Sequence, residues 1–448
     1  MKTKIRSQSL YVLLFCLLFS VNGFAKNDDA ELANRISAIE KKSNTVIGIS
    51  AIYIEKNKTV AHNSKKRFFM ASTIKLPIAL AFLHRVDEKE NSLDRVIKMD
   101  SSYSVPGSGT LYHLFEKKDL KMSLKQILKY MLANSDNSAS DAILQEADGP
   151  KYVTQRMEAL GFKDIFINRS ILEMQMYTNH VDSSLLKEPR PVAAWEKAFN
   201  SVPLQQKMLA WQHFENDIRD TTTPDDMAKL LVKLYKKQAL SAASTDLIMG
   251  IMEKCRTGRS RIKGLLPANV KVAHKTGTWA IYEQNYLRYP GSKNLFRFAS
   301  DVGIITLPKN MGHIAIAVYV KSRGTSDYTR SRAIALASRA IYDHFVSGGS
   351  ATSVAMLSKR NTHTQSHTQS HSQSHTQPHT QPHTQSHSQS HTQPHTQPHT
   401  QSHTQPHTQP RTQPHTQSRT QPHTQSRTQS LSQPHTHTHT KPPTMPFL

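Results

Sequence analysis

Three short motifs in this sequence carry side chains able to make and break covalent bonds. Ser72-Thr73-Ile74-Lys75 follows Phe68-Phe69-Met70-Ala71. If a helix starts at Ser72, Lys75 lies one turn on and faces the same way. The N-terminus of that helix favours negative charge on the serine oxygen. The Lys75 amine can take the serine proton once burial or a neighbouring cation lowers its pKa. Ser184-Leu185-Leu186-Lys187 has the same spacing, and we read it as chance.

Ser135-Asp136-Asn137 closes a predicted helix over 120–134. A serine there could relay a proton to a leaving nitrogen. The Asn137 amide could hold a substrate carbonyl, and Asp136 could cap the next helix. By itself the triplet also fits a helix-terminating turn. Lys275-Thr276-Gly277-Thr278 ends a predicted strand. Lys275 and Thr276 can bind a carboxylate, and Gly277 lets substrate approach the strand closely. The backbone N–H of Thr278 could join that of Ser72 to stabilise an oxyanion.

Each motif is weak alone; the three in this order resemble the signature of serine β-lactamases and penicillin-binding proteins. The chain resembles a class A β-lactamase over roughly residues 30–346. Arg67-Phe68-Phe69-Met70-Ala71-Ser72 is similar to that family's approach to its nucleophile. Asp220-Thr221-Thr222-Thr223-Pro224 with Met227-Ala228 is similar to the end of its omega loop. Thr257-Gly258, Arg261-Ile262 and Gly264-Leu265-Leu266-Pro267 look like the stretch before its Lys-Thr-Gly strand. The resemblance implies an α/β (α+β) fold, with a mainly antiparallel five-stranded sheet, flanking helices and an all-α subdomain. It also implies acylation of Ser72 by a β-lactam or related peptide. In that family an omega-loop glutamate, helped by an asparagine four residues later, handles the deacylating water. Glu173 is the best match by distance from Ser135. The residue four later is Tyr177; Asn179 could substitute, although nothing in the spacing requires it, Glu173 could equally do no more than pair with a surface cation, and about 30 to 35 extra residues separate Glu173 from Asp220.

The elements that must position these residues show in the periodicity. Leu32, Ile36 and Ile39 share one helical face of 30–42. Thr45–Ile54 reads as a strand and Thr59–His62 as its hairpin partner. A long apolar helix begins near Ser72. Helical spacing recurs over Leu120–Leu132, 150–160, 224–238 and 241–254. Strands follow at Val270–His274, Phe298–Thr306 and Ile314–Val320, then a helix over 327–346. Strands at both ends that pair into one antiparallel sheet, with a helical subdomain of about 72–225 inserted between them, account for this order.

The two ends of the chain are different in kind. Lys2, Lys4 and Arg6 precede an apolar run from Leu10 to Phe19, and Gly23-Phe24-Ala25 offers small residues where a signal peptidase reads. Residues 1–25 are therefore expected to be a cleaved signal peptide, and 26–350 a catalytic domain in the periplasm or outside the cell. With the signal removed, Cys255 is the one remaining cysteine; it forms no intramolecular disulfide and reads as buried filler. From His363 to His435 every fourth residue is His, except Arg411, Arg419, Arg427 and Leu431. His437 and His439 follow, so this segment holds 17 of the 25 histidines. Residues 351–448 have almost no apolar side chains to offset the entropy of ordering, and a disordered tail dispensable for catalysis is expected. In polyproline II, successive histidines would stand about 12 Å apart. A zinc ion needs ligand nitrogens within about 2.1 Å. Weak, multi-site binding of Zn²⁺, Ni²⁺ or Cu²⁺ is the most this tail offers, and a plain spacer is the blander expectation. No metal ligands are expected in the catalytic domain, and no cofactor is required.

The formal charge is +24. The leader contributes three positive charges and 361–448 four, neither with acids, so the central region carries +17. Such a field favours anionic partners. Nucleic acid is not expected, because no motif interleaves aromatic and basic residues and the leader points to export. An anionic cell-envelope polymer fits better. The chain is expected to be a monomer acting on a small molecule. Four activities stay open: a β-lactam hydrolase; a peptidoglycan-directed D-alanyl carboxypeptidase, or other penicillin-binding serine hydrolase acting on a stem peptide; a non-catalytic binding protein; and a metal-binding protein working through its tail.

Overall fold

The computed structural model describes residues 29–115, 117–187, 191–280 and 291–347. The expected signal peptide, the His-repeat tail and its metal binding lie outside these residues. The described elements, in order, are α1 (29–43), β1 (Val46–Tyr53), β2 (Lys58–His62), β3 (Phe68–Phe69), α2 (Lys75–Asp87), β4 (Val96–Met99), α3 (Leu111–Phe115), β5 (Leu120–Ser123), α4 (Leu124–Ala133), α5 (Asn137–Glu146) and α6 (Gly149–Ala159). Then come α7 (Ile171–Thr178), α8 (Val192–Ser201), α9 (Leu204–Glu215), β6 (Thr221–Thr222), α10 (Pro224–Tyr235), α11 (Ala242–Glu253), β7 (Val272–Trp279), β8 (Phe296–Thr306), β9 (His313–Arg323) and α12 (Asp327–Val346).

The main sheet has five strands in the order β2-β1-β9-β8-β7, every neighbouring pair antiparallel. Early and late segments therefore meet, with Val46 opposite Lys321 and Tyr53 opposite Ile314. Side chains alternate between faces along each strand. Ile314, Ile316, Val318 and Val320 of β9 join Leu32 and Ile36 of α1 and Ile334, Ala337 and Ile341 of α12 in one core. Ala315, Ala317 and Tyr319 look the other way, into the larger core built on α2, α4, α5, α10 and α11. Both faces are covered, which is why β1 and the first part of β9 read as nearly unbroken apolar runs.

Helix α2 is the centre of the larger core. Residues Lys75 to Leu83 are all buried, so this helix is enclosed on every side. Each fully buried Leu, Ile or Phe there contributes about 1.5–3 kcal/mol. It starts one residue after a 3-10 turn over Ala71–Ile74, so Ser72 sits in the lead-in to the α-helix, not at its first residue. A second correction concerns Leu120–Leu132, where the helical pattern hides two elements. Leu120–Ser123 pairs as β5 with β4, and Ser123 then caps α4 in a capping box with Gln126. The apolar alternation of a strand flows into the helical period, so the two are not separable by spacing. Strand β7 also runs on to Trp279, so the Lys275–Thr278 segment lies within the strand. No described helix is long and apolar enough to cross a membrane.

Candidate active site

Strained backbone presents the nucleophile candidate. Ala71 has φ +48°, a region disfavoured for residues with a Cβ. It turns the chain from β3 into the 3-10 lead-in, leaving Ser72 half-buried at the edge of a cleft. Ser135 (φ +59°) and Asp220 (φ +56°) are held likewise. Each such residue costs on the order of 1–3 kcal/mol, which the surrounding packing must sustain. The Met70 N–H donates to the Asp220 carbonyl at 3.1 Å, which ties two of these turns together.

Ser135 turns between α4 and α5, and two lysines converge on it. Lys75 Nζ donates to the Ser135 carbonyl at 2.6 Å and to Asn137 Oδ1 at 2.9 Å, and lies 3.3 Å from Ser135 Oγ. Lys275 Nζ reaches the same Oγ at 2.9 Å and the Thr276 carbonyl at 2.7 Å. Burial drives the Lys75 ammonium well below its ordinary pKa, and the Lys275 charge adds to this, while Asp136 and Asp141 oppose it. Burial also pushes Lys275 down, to about 8. Lys75 is thus a buried amine whose surroundings weaken its hold on the third proton.

Asp136 builds the floor. Its carboxylate caps α5 through the Ala139 N–H at 2.9 Å and accepts from Thr110 and Leu111 N–H at 2.7 and 3.0 Å. It caps the following helix, as its sequence position suggests, and also fixes the 106–111 loop across the cleft. Asn137 gives its Oδ1 to Lys75 and one N–H to the Pro106 carbonyl at 2.9 Å. An amide has two N–H groups, so one remains for a substrate carbonyl.

The opposite wall is β7. At Gly277 an added Cβ would stand 2.5 Å from Ser300 Oγ, 2.6 Å from the Met70 carbonyl and 3.0 Å from the Ser72 backbone nitrogen. Only glycine lets this strand press against the Ser72 turn. Arg261, buried beneath it, donates to the Gly277 and Ser300 carbonyls at 2.7 and 2.9 Å and to Thr278 Oγ1 at 2.5 Å. Thr257 Oγ1 lies 2.6 Å from Thr276 Oγ1. Cys255 is buried with its thiol 3.3 Å from Thr257 Oγ1, close enough to act electrostatically on Lys275.

Glu173 is at the third position of α7, where it completes a capping box. Its Oε2 accepts from Ser170 N–H at 2.6 Å, and Ser170 Oγ accepts from Glu173 N–H at 3.1 Å. Asp141, half-buried on α5, accepts from Ile171 and Leu172 N–H at 2.7 and 3.0 Å, so it seats the start of α7. Burial pushes its carboxyl up to about 6, and the nearby Glu173 charge adds to this against the lowering effect of those two N–H groups and Lys75. Tyr177 does not take the place of a water-holding asparagine. Its ring lies 4.9 Å from the guanidinium carbons of both Arg169 and Arg219. Gln175 and Asn179 line the cleft instead.

The neck of this long loop is a buried ion pair, Arg169 Nε to Asp220 Oδ2 at 2.6 Å. Asp220 Oδ1 also accepts from Asn168 N–H at 2.7 Å. Ser184 lies far along the insertion, exposed in a 3-10 turn, with its backbone N–H on Asp182. Among the described residues no group of three or more His, Cys, Asp or Glu side chains could hold a metal ion. Sequence reasoning assigned no role to Arg261, Asp141 or Gln175. Arg261 lies in the family-like stretch before β7, but only the folded strand reveals what it holds; Asp141, one helical turn beyond Asn137, carried no spacing signal.

A half-buried serine, a buried amine and a shared hydroxyl, on a five-stranded antiparallel sheet with a helical subdomain, define the class A β-lactamase type of serine hydrolase. Residues 31–345 match the family model of the β-lactamase enzyme family. The β-lactamase VEB-1 of Pseudomonas aeruginosa is 30% identical over 327 residues, covering 72% of this chain and 93% of that protein. A β-lactamase of Bacteroides uniformis is 26% identical over 70% of this chain and 91% of its own length. Among solved structures, TLA-3 extended-spectrum β-lactamase superposes with a TM-score of 0.57 at 28% identity, over 71% of this chain and 99% of that one. The chain belongs to the β-lactamase enzyme family and is a serine hydrolase of the class A type.

Proposed function

We propose that the protein hydrolyses β-lactams through an acyl-enzyme on Ser72. The observation that carries this reading is the convergence of the Lys75 and Lys275 amines on Ser135 Oγ, at 3.3 and 2.9 Å. Lys75 takes the Ser72 proton as Oγ bonds to the lactam carbonyl carbon. The lactam C–N bond breaks, and Ser135 passes a proton from the lysine side to the leaving nitrogen. Asn137 holds the side-chain carbonyl of the substrate, and Lys275, Thr276 and Thr278 hold its carboxylate. Gly277 keeps β7 close enough for the Thr278 and Ser72 N–H groups to share the developing oxyanion. Water activated by Glu173 then releases the product. No cofactor enters any of these steps.

A second reading has its own support. The Glu173 carboxylate is engaged with Ser170 N–H, and the residue four later is a tyrosine placed against two arginines. Slow release would make the protein behave as a penicillin-binding hydrolase, acting on peptidoglycan stem peptides. Intact-mass analysis with a penicillin, beside turnover of a chromogenic cephalosporin, separates the two. Rapid turnover supports the first and a long-lived adduct the second. Ser72→Ala is expected to abolish the adduct; labelling of that variant at the wild-type rate refutes the assignment. Placement in the periplasm or outside the cell, with an anionic envelope polymer as neighbour, completes the proposal and rests on the leader and the positive charge.

A further inference from the structure

The cleft does not end at the residues that surround Ser72. It continues as one cavity of about 330 Å³, and its far wall is built by the insertion between Glu173 and Asp220. Ser72, Asn137 and Thr278 line it together with Glu196, Phe199 and Asn200 of α8 and the buried Lys207 of α9. The three α8 residues sit at i, i+3 and i+4, so they share one face of the helix. That volume lies within the range of small-molecule sites and exceeds what a bare four-membered lactam ring would occupy.

The wall is anchored. On α9, Trp211 donates its indole N–H to the Phe296 carbonyl at 2.8 Å. Phe214 packs edge-on against Phe69, with ring centroids 4.6 Å apart, and Phe69 packs against Trp279 at 5.5 Å. The insertion is thereby docked on the strands that carry the site, and α8 joins α9 across Val202 and Pro203. Two kinds of chemistry meet on the α8 face. Phe199 presents a partly buried ring. Glu196 presents an exposed carboxylate that no described residue engages in an ion pair or hydrogen bond.

We propose that Glu196 and Phe199 form a subsite for the side chain of the β-lactam, selecting aryl side chains that carry a positive charge. This rests on the reading of Ser72 as the acylated residue. A substrate held with its carboxylate at Lys275 and its ring carbonyl at Ser72 extends its acylamino side chain past Asn137, towards α8. An aromatic ring there packs on Phe199, and an ammonium on the adjoining carbon faces Glu196. Because Glu196 is exposed, the ionic preference is modest and falls with added salt.

The test uses the full chain and three penicillins that differ at one carbon. Ampicillin bears an ammonium there, benzylpenicillin a hydrogen and carbenicillin a carboxylate. The readout is the second-order rate of Ser72 acylation by intact mass, with KM and kcat where turnover occurs. Below the pKa of the ampicillin amine, the wild type is expected to acylate fastest with ampicillin and slowest with carbenicillin. Glu196→Gln should lower the ampicillin rate about three- to fivefold, through KM and not kcat, and leave benzylpenicillin within about twofold. That span is what an exposed ion pair supplies. Glu196→Lys should reverse the order of ampicillin and carbenicillin. Phe199→Ala should slow all three alike. An unchanged order in both Glu196 variants overturns the subsite while leaving the Ser72 assignment intact. Absence of acylation by all three penicillins in the wild type overturns the Ser72 assignment and the subsite with it.

Discussion

At the scale of single residues, the site is governed by two lysines that burial pushes in the same direction, down. Lys275, pushed down to about 8, is charged below that pH and neutral above it. Its attraction for a substrate carboxylate is therefore present at neutral pH and lost as pH rises through about 8. In the free enzyme kcat/KM is expected to fall on the alkaline side, by at most about tenfold per pH unit for one ionisation. Lys275→Arg should remove that limb, because a guanidinium stays charged. A pH profile of kcat/KM from 6 to 10 checks this, and an unaltered alkaline limb in the variant excludes Lys275 as its source. Glu173→Gln is a separate question. Glutamine can still complete the cap at Ser170, so the fold should hold while the acyl-enzyme accumulates, with deacylation slowed about 10²–10⁴-fold. An unchanged deacylation rate moves water activation to another group. Lys75, Ser135, Asn137 and Lys275 were legible because three motifs had to occur in order, and the structure brings them within hydrogen-bonding distance. Arg261 and Asp141 were not legible as site residues. Each acts through backbone distant in sequence, Asp141 on residues 171–172 and Arg261 on 277 and 300, and no local pattern records such a pairing.

At the scale of elements, the question is what holds α7 at the cleft that Ser72 also lines. Its first turn has two supports, the Ser170–Glu173 box and the Asp141 carboxylate. Asp141 is raised from an ordinary carboxylate value to about 6. A raised folded-state pKa adds stability that is fully present below the unfolded value near 3.8 and is lost as pH rises through about 6. The span is on the order of 3 kcal/mol. Asp141→Asn lacks this slope. Its melting temperature relative to the wild type should therefore shift in the variant's favour between pH 4 and pH 7, around whatever fixed offset the lost acceptor causes. Circular-dichroism melts across that range test it, and a constant gap excludes a titrating Asp141. Elements were read from sequence best where one period ran unbroken, as over 327–346. They were missed where two periods met, at Leu120–Ser123, and in the insertion. There α8 and α9 owe their places to packing by Trp195, Trp211 and Phe214, which no spacing rule anticipates.

At the scale of the whole molecule, the sheet is a shared wall between two cores. Small residues on one side, Ala315 and Ala317, admit the helices of the larger core, while Ile314, Ile316 and Val318 fill the smaller one. The alternation of β9 was visible as a strand in the sequence, but which face took which helices was not, because both faces are apolar. The order β2-β1-β9-β8-β7 has a consequence for how the protein comes into being. Strand β1 leaves the ribosome early, yet its long-range partner, residues 314–321, follows about 260 residues later. At roughly 5–20 residues per second that is a wait of about 15–50 s. Until then the hairpin of β1 and β2 has an open edge rich in Ile and Val, a surface prone to pairing with the wrong strand. Nascent chains arrested with residue 310 just outside the ribosome should remain wholly sensitive to protease, whereas chains extended past residue 346 should yield a resistant core. A resistant core in the shorter chains would mean that the helical subdomain folds without the closed sheet. Ser72 is made in the first sixth of the chain, yet the strand pressed against its turn, β7, is made about 200 residues later, so an unfinished molecule is expected to carry no prematurely active nucleophile.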